Sequence, residues 1–293
     1  MAQTYGVMTG NLMDSPLSLN SVFAPYVGDN GYKFTGVNTI QVVSTPDGTL
    51  SAYTENSVAP ITVGLVGTNL QSLSLSYNQA MFQRIQQTLI QDIPVADFAA
   101  KWAKQQIADV FVPTHDVYSL NKLELARATA NDVLVTLTAG VLPTTGLSSL
   151  FGAAFIAIHA KGADVGSTLA WLADSYANAL ADQITFGGSQ AGYEQAVNSA
   201  FIGKYKGVTC VAVPDVYFTK LGATSQLPVF VLMADKRGII NVTPKMSPTD
   251  YKVVTDISGF SGIEVQLRDR GDTFVLNNKV NNISMVRGSG TIA

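Results

Sequence analysis

The sequence feature that most constrains the fold is one long amphipathic stretch, from Ile93 to Ala128. Pro94 suits the first turn of a helix, where its missing N–H group costs nothing. Pro113 removes a backbone hydrogen bond, so the helix is expected to kink or restart there. At about 1.5 Å per residue the stretch would form a helix roughly 50 Å long. We call it the spine, and we expect the other segments of the chain to pack against it. Apolar residues recur along this spine at helical spacing, at Val95, Phe98, Ala99, Trp102, Ala103, Ile107, Val110, Phe111, Val117, Leu120, Leu123 and Ala126.

The composition indicates a surface that is covered in large part by other subunits. Only 13% of the 293 residues are charged, whereas about a quarter is usual for a soluble domain. The net charge of −3 gives no concentrated basic patch of the kind a nucleic-acid reader needs. A single cysteine, Cys210, excludes an internal disulfide and a zinc site built from cysteines. We find no signal-peptide pattern and no apolar run of about 18 residues, and we expect a soluble chain made in a reducing compartment.

The region before the spine is predicted to hold a polar arm and a long β-hairpin. The first 30 or so residues are small, polar and weakly periodic, as in an arm that orders only against another surface. From Lys33 to Tyr77 the residues alternate as in strands, and Pro46-Asp47-Gly48 is typical of a turn. An isolated two-stranded hairpin is at best marginally stable in water. We therefore expect it to fold back onto the spine or to lie on a neighbouring chain.

The region after the spine is predicted to mix helices and strands without regular alternation, which is typical of an α+β fold. Two helices are expected, one over Asn131–Leu142 and one that begins at Ser167 and carries an apolar stripe from Leu169 to Leu180. A flexible loop is predicted around Gly187, Gly188 and Gly192. Ile202–Pro214 is predicted to be a turn that leads into a buried strand. Strands are predicted for four further apolar or alternating runs, at Phe155–His159, Val229–Met233 continuing through a turn into Ile239–Val242, Ile263–Leu267, and Phe274–Ile283.

Four stretches, in this order, resemble the major capsid proteins of tailed bacteriophages with the HK97-type fold. Lys33–Ile40 resembles the first strand leading into the extended loop, and Val112–Tyr118 (VPTHDVY) resembles a spine segment usually written V-P-E-x-D-x-Y. Ile202–Pro214 resembles the IG-x-x-x-G-V…VP strand of the axial domain. Asp272–Lys279 resembles the closing D-x-F-V-L-x-N-K strand. The likeness covers the chain from Lys33 onward.

One departure from the family pattern concerns the spine motif. Thr114 and His115 stand where the family often has a glutamate and an apolar residue. Any polar contact that the glutamate makes in other members is therefore in question for this chain.

The resemblance also implies how the chain is divided. Residues 1–31 would be the N-terminal arm, and residues 32–77 the extended loop that lies across an adjacent subunit. Residues 78–130 would be the spine helix with the first part of the peripheral domain, at local threefold contacts. Residues 131–235 would form the axial domain around local five- and sixfold centres. Residues 236–293 would supply the closing strands, mainly of the peripheral domain.

The function implied is structural: a capsid subunit that assembles with itself into pentamers and hexamers of an icosahedral shell. The shell would surround packaged double-stranded DNA, with contacts through phosphate that have no sequence preference. Portal, scaffolding and decoration proteins would be further partners, and the location would be the virion, assembled in the host cytoplasm. Two alternatives remain open, an encapsulin-like nanocompartment shell that packages enzymes and an α+β hydrolase with an unrecognised site.

The chemistry-bearing residues favour the structural interpretation, and we predict no catalytic, cofactor or metal site. The two histidines, His115 and His159, fit structural roles better than a general base, and no HExxH, GxSxG, CxxC or GxxxxGK(S/T) pattern occurs. Gly203–Gly207 superficially resembles a phosphate cradle, but it lacks a following helix, so a β-turn is the better interpretation. Cys210 is expected to behave as a small apolar residue on a buried strand. Trp102 and Trp171 are predicted to pack in the core from helix stripes.

Some capsid proteins of this fold are cross-linked between a lysine and an asparagine. Lys33 lies at the base of the predicted hairpin, and asparagines cluster at Asn277, Asn278, Asn281 and Asn282. No lysine lies near the predicted hairpin tip, so we interpret these residues as ordinary solvated polar positions.

Overall fold

The computed structural model describes residues 21–32, 39–44, 69–86, 95–136, 146–183, 201–218, 228–242, 251–255 and 257–289. The strands are β1 Thr39–Ser44, β2 Asn69–Ser74, β3 Tyr77–Gln86, β4 Asp132–Thr136, β5 Thr168–Ala173, β6 Phe201–Tyr205, β7 Val208–Val213, β8 Val229–Asp235, β9 Ile239–Val242, β10 Tyr251–Val254, β11 Gly262–Val275 and β12 Ile283–Ser289. The α-helices are α1 Val95–Gln106, α2 Val112–Ala126, α3 Leu147–His159, α4 Asp174–Gln183 and α5 Asp215–Phe218.

The predicted spine is one continuous helix from α1 to α2. The two α-helices are joined by a π-helical segment, Ile107–Phe111, in which the Val112 N–H bonds the Ile107 carbonyl. Pro113 therefore falls in the first turn of α2, where its missing N–H group is tolerated. The Thr114 hydroxyl donates to the Val110 carbonyl at 2.6 Å. The helix does not restart at Pro113, and the irregularity expected there is the π-helical segment that directly precedes α2.

The first half of the spine packs on an antiparallel sheet in the order β10–β11–β3, with β9 also paired to β11. Odd-numbered residues of β11, at Ile263, Val265 and Leu267, face Ala99 and Ala103 of α1 in one apolar cluster. The predicted strand Ile263–Leu267 is thus confirmed as part of a longer one. Because side chains alternate along a strand, Glu264, Gln266, Arg268 and Arg270 lie on the opposite face.

The second half of the spine packs on the large core around a mixed six-stranded sheet, in the order β4–β12–β8–β5–β7–β6. Leu120 and Leu123 of α2 are fully buried there. The C-terminal strand β12 lies inside this sheet, between β4 and β8. The residues after 236 therefore contribute to both sheets.

The base of the predicted hairpin is present as β1 paired antiparallel with β2, with Thr39 opposite Ser74 and Ser44 opposite Asn69. The Pro46-Asp47-Gly48 turn and the segment 61–66 lie outside the described residues, as does the loop around Gly187. The later hairpin β6–β7 turns at Lys206 and Gly207, which both have positive φ angles, 51° and 82°. Since a two-residue hairpin turn needs such angles, the β-turn interpretation of Gly203–Gly207 is confirmed.

Three predicted elements between residues 131 and 183 are wrong in type. The predicted helix over Asn131–Leu142 is a short 3₁₀ turn followed by strand β4, and its remaining residues lie outside the described ones. The predicted strand Phe155–His159 is the end of helix α3. The helix predicted from Ser167 is strand β5 followed by helix α4.

The errors at β5 and α3 share one physical cause, which is the lack of polar residues to mark an outward face. Thr168–Ala173 is buried on both faces, so it shows neither strand alternation nor a helical stripe. Helix α3 carries no charged residue before His159, so its outward side is not marked by polarity. Trp171 consequently packs from a strand and not from a helix, although its predicted core position is confirmed. The predicted strand Phe274–Ile283 is divided by the 3₁₀ helix Asn277–Asn282 between β11 and β12.

Candidate functional site

The polar centre of the fold is a junction where the arm, the hairpin base, the spine helix and strand β11 meet. Its main anchor is Asp272, which is fully buried. One carboxylate oxygen accepts from the Ser76 backbone N–H at 2.8 Å and from the Ser76 hydroxyl at 2.7 Å. The other accepts from the Tyr118 hydroxyl and from the Thr273 N–H, both at 2.8 Å, and lies 3.7 Å from the Lys122 ammonium.

This arrangement fixes the root of the hairpin. Ser76 follows β2 and precedes β3, so Asp272 holds the chain where the hairpin leaves the four-stranded sheet. Tyr118 and Lys122 lie one turn apart on the spine helix and reach the same carboxylate. A buried carboxylate is stable only when it is paired and hydrogen-bonded in this way. The junction therefore holds the chain between β2 and β3 against the spine helix.

The arm is held on the other side of the spine by Asp116. Its carboxylate accepts from the Ser21 hydroxyl at 2.6 Å and from the Val22 N–H at 2.8 Å. Trp171 donates to the Val22 carbonyl at 3.0 Å, and the Phe23 ring stacks on the Trp171 ring at 5.1 Å between centroids. Phe23 is only 1% exposed, so this part of the arm belongs to the core and anchors whatever precedes it.

Ser21 is expected to contribute about 1 kcal/mol to stability, because its hydroxyl donates to a buried carboxylate and accepts from the Ala24 N–H at 3.0 Å. Ser21→Ala should lower the free energy of unfolding, measured by urea titration, by that amount. Ser149→Ala is the matched control, since the exposed Ser149 hydroxyl bonds only the Gly146 carbonyl of its own helix. Equal losses in the two variants would contradict the role assigned to Ser21.

Burial raises the pKa of Asp116, although the hydrogen bonds from Ser21 and Val22 act in the opposite direction. A carboxyl whose pKa is higher in the folded than in the unfolded state binds more protons when folded. Its contribution to stability is therefore greatest below about pH 4 and falls as the pH rises through the folded pKa. Relative to the wild type, Asp116→Asn should gain melting temperature as the pH rises from 4 to 6. A constant difference in thermal melts over that range would contradict this.

His115 lies between the two anchors. Its Nδ1 is 3.3 Å from an Asp269 carboxylate oxygen, and its ring stacks on Tyr77 at 4.8 Å. Its Nε2 is buried without a hydrogen-bond partner among the described residues. Beside it lies a small cavity of about 70 Å³. The two positions that depart from the family motif thus make contacts of their own, Thr114 to the helix backbone and His115 to Tyr77 and Asp269.

The far end of the spine is tied to the six-stranded sheet by four buried or half-buried charges. Arg127 donates to both Asp132 carboxylate oxygens at 2.8 and 3.0 Å, and the Arg287 Nε lies 3.2 Å from the same carboxylate. Glu124 lies 3.7 Å from Arg127. Burial raises the pKa of Glu124, while Arg127 and Arg287 act in the opposite direction. The network joins the C-terminal end of α2 to β4 and β12.

The hairpin base has two different faces. Val42 and Leu73 point inward and are buried against Ile240. On the outer face Thr39 and Ser74 share a hydrogen bond of 2.6 Å, and Val43 lies directly opposite Leu70. Val43 and Leu70 are 58% and 64% exposed. The outer face of the hairpin base therefore carries an exposed apolar pair.

The remaining sequence candidates for chemistry are held in structural positions. The His159 Nδ1 contacts the Ala163 carbonyl at 2.9 Å at the end of α3, and not at the end of a strand as predicted. Burial raises the pKa of the Cys210 thiol to about 12, so it is no nucleophile at neutral pH. Within the described ranges, no cluster of three or more His, Cys, Asp or Glu side chains could hold a metal. No described helix is long and apolar enough to span a membrane. Lys33 lies outside the described residues.

Sequence reasoning named Asp116, Tyr118 and Asp272 only as letters of motifs and missed their roles as anchors. The available signal was only their position in motifs that resemble the family pattern. A motif position does not reveal the partner, which lies 95 residues away for Asp116 and 154 for Tyr118.

Comparison with known proteins establishes the fold. No protein-family model and no curated protein matches the sequence. The capsid structure of cyanophage P-SCSP1u matches with a TM-score of 0.68 at 12% identity, over 99% of this chain and 93% of that chain. A structure from Mycobacterium phage Che8 matches with a TM-score of 0.64 at 12% identity, over 98% and 96%. The capsid of a native GTA particle matches with a TM-score of 0.63 at 13% identity, over 99% and 95%. The chain therefore has the α+β, HK97-type fold of these capsid structures, as predicted.

Proposed function

We propose that this chain is a major capsid subunit, which assembles into pentamers and hexamers of an icosahedral shell around double-stranded DNA. The observation that carries the proposal is the near full-length match to assembled capsid structures. The likeness covers the arm, the spine and both sheets. These are the segments that we expect to form the contacts between subunits of a shell. The virion is then the location of the protein, and the host cytoplasm is the place of assembly.

The two faces of the hairpin base support the same function. A two-stranded hairpin is marginal on its own, and its outer pair, Val43 and Leu70, is exposed in the single chain. Contact with a second subunit would cover it. Repeating one heterologous contact around a closed symmetry produces a shell, and permanent interfaces of this kind usually bury more than about 2,000 Å².

We propose a structural and not a catalytic role for the chemistry-bearing side chains. Asp272, Asp116 and Arg127 are engaged in bonds that join segments of the chain. The division into arm, extended loop, spine, axial and peripheral domains is part of this proposal, as are portal, scaffolding and decoration proteins as partners. Contacts with packaged DNA would be through phosphate and independent of sequence.

Sedimentation velocity and negative-stain electron microscopy of the expressed chain test the proposal. We expect megadalton closed particles of uniform diameter, containing nuclease-protected nucleic acid when they are isolated from infected or packaging cells. Particles that enclose a cargo enzyme in place of nucleic acid would support the encapsulin-like alternative. A monomer at every protein and salt concentration, with turnover in a hydrolase substrate screen, would contradict a shell function.

A further inference from the structure

The turn at the end of the arm contains the dipeptide Asn30–Gly31. Nowhere else in the sequence does a glycine follow an asparagine. The two residues have φ angles of 48° and 82°, and the Tyr32 N–H donates to the Asp29 carbonyl at 2.9 Å. Positive φ angles at both central positions define a type I′ β-turn, for which Asn-Gly is a preferred sequence. Asn30 and Gly31 are exposed, so water reaches both of them.

The side chain of Asn30 holds this turn on the rest of the fold. Its Nδ2 amide group donates to the Lys236 carbonyl at 3.0 Å and to the Ile239 carbonyl. Both carbonyls belong to the segment that leads from β8 into β9. The Asn241 N–H, also on β9, donates to the Gly28 carbonyl at 3.0 Å. The arm is therefore attached a second time here, after its contact with the spine helix.

An asparagine before a glycine is prone to deamidation, because glycine has no Cβ to keep its backbone nitrogen away from the side-chain amide. The Gly31 nitrogen loses its proton and attacks the Cγ of Asn30, which closes a succinimide ring. The bond between Cγ and Nδ2 breaks, and Nδ2 leaves as ammonia with the proton that Gly31 gave up. Water then opens the imide at either carbonyl, which yields aspartate or isoaspartate.

In the folded chain both reacting groups are engaged elsewhere. The Gly31 N–H donates to Asp29 Oδ1 at 3.1 Å, and the Nδ2 of Asn30 is held by two carbonyls. The side chain has to leave those carbonyls before its Cγ can reach the Gly31 nitrogen. The rate is then limited by the fraction of time for which the turn is open. Two net hydrogen bonds lower that fraction by about thirtyfold.

Neither product can restore the contact with β9. An aspartate at position 30 presents carboxylate oxygens to the Lys236 and Ile239 carbonyls, and these are acceptors on both sides. An isoaspartate adds a methylene group to the main chain, so the spacing of a type I′ turn is lost. Because the ammonia is lost, the reaction does not reverse. Modification therefore turns a transient opening of the turn into a permanent one.

We propose that Asn30 is a latent site of spontaneous deamidation, protected while the arm lies on β9 and modified once the turn opens. The co-reactant is water, and the products are ammonia and a chain whose arm is released from β9. The contact of the arm with Asp116 remains in place. This inference is independent of the proposed shell function, since the chemistry belongs to the single subunit.

Peptide mapping by mass spectrometry tests the site in the full-length chain, incubated in mildly alkaline buffer with and without denaturing urea. We expect aspartate and isoaspartate to accumulate at position 30 in both samples, about tenfold or more slowly in the native one. Asn178 is the internal reference, because it is exposed on α4 and is followed by alanine. In urea it should convert more slowly than Asn30.

The variant Asn30→Asp reproduces one product and tests the consequence. Hydrogen exchange at the Tyr32 and Asn241 amides should become about tenfold faster than in the wild type. Asn178→Asp is the matched control and should leave both rates unchanged.

Three results would overturn the inference. They are equal conversion of Asn30 in native buffer and in urea, no conversion at Asn30 while Asn178 converts in urea, and unchanged exchange in folded Asn30→Asp. The comparison of native and denatured wild type needs no substitution, so the test stands even if the variant misfolds.

Discussion

Replacing Asp272 by asparagine is expected to lower the free energy of unfolding by about 3 kcal/mol, because this buried carboxylate serves four donors and a nearby lysine. An amide has one acceptor oxygen and presents an NH₂ group at the other position. Either the Ser76 pair or the Tyr118 and Thr273 pair would then face a donor in place of an acceptor. The measurement is chemical denaturation of the subunit.

Asp29→Asn is the matched control for this variant. Asp29 accepts one backbone bond, from the Gly31 N–H at 3.1 Å, in an exposed turn. Its replacement should change stability by less than about 0.5 kcal/mol. Tyr118→Phe removes one donor to Asp272 and should cost about 1 kcal/mol. An Asp272→Asn variant as stable as the control would show that the junction does not depend on this carboxylate.

Deleting residues 45–59 is expected to abolish closed shells and to leave a folded subunit. The strands at the hairpin base, β1 and β2, are retained, and their inner face stays packed on Ile240. The melting temperature should therefore change by only a few degrees, because the retained strands keep their contact with Ile240. Electron microscopy should show no closed particles, because the contact between neighbouring subunits is lost.

A second variant separates the length of the hairpin from its side chains. Replacing residues 45–59 by a glycine–serine segment of equal length keeps the reach of the hairpin and removes Asp47, Glu55 and the apolar groups. It should fail to close shells just as the deletion does. Normal shells from the deletion would refute the role given to the hairpin.

The elements that sequence reasoning predicted correctly are those with a strong local period. The spine carries a single apolar stripe over more than eight turns, and the structure shows one helix there. No periodic pattern in the sequence marks the π-helical segment before Pro113. We attribute the segment to the proline, which has to be accommodated in a helix that continues past it. β1 and β2 alternate because only one face is buried.

The elements that were missed owe their form to contacts distant in sequence. β5 is buried between β7 and β8, so both of its faces are apolar and its period disappears. β4 forms because β12, some 150 residues later, pairs with it in parallel. Local propensity cannot register such a partner.

The sequence allowed us to predict which segments contribute to the candidate site, but not which residues contact one another there. The motif residues Asp116, Tyr118 and Asp272 were singled out by resemblance, but the arm bound by Asp116 and the hairpin root held by Asp272 are properties of the folded chain.

The measurement that tests the central claim most directly is a cryo-electron microscopy reconstruction of particles formed by this chain. We predict a closed icosahedral shell of pentamers and hexamers in which the hairpin of each subunit lies on an adjacent subunit. Hairpins folded back on their own subunits, or particles without closed symmetry, would contradict the account.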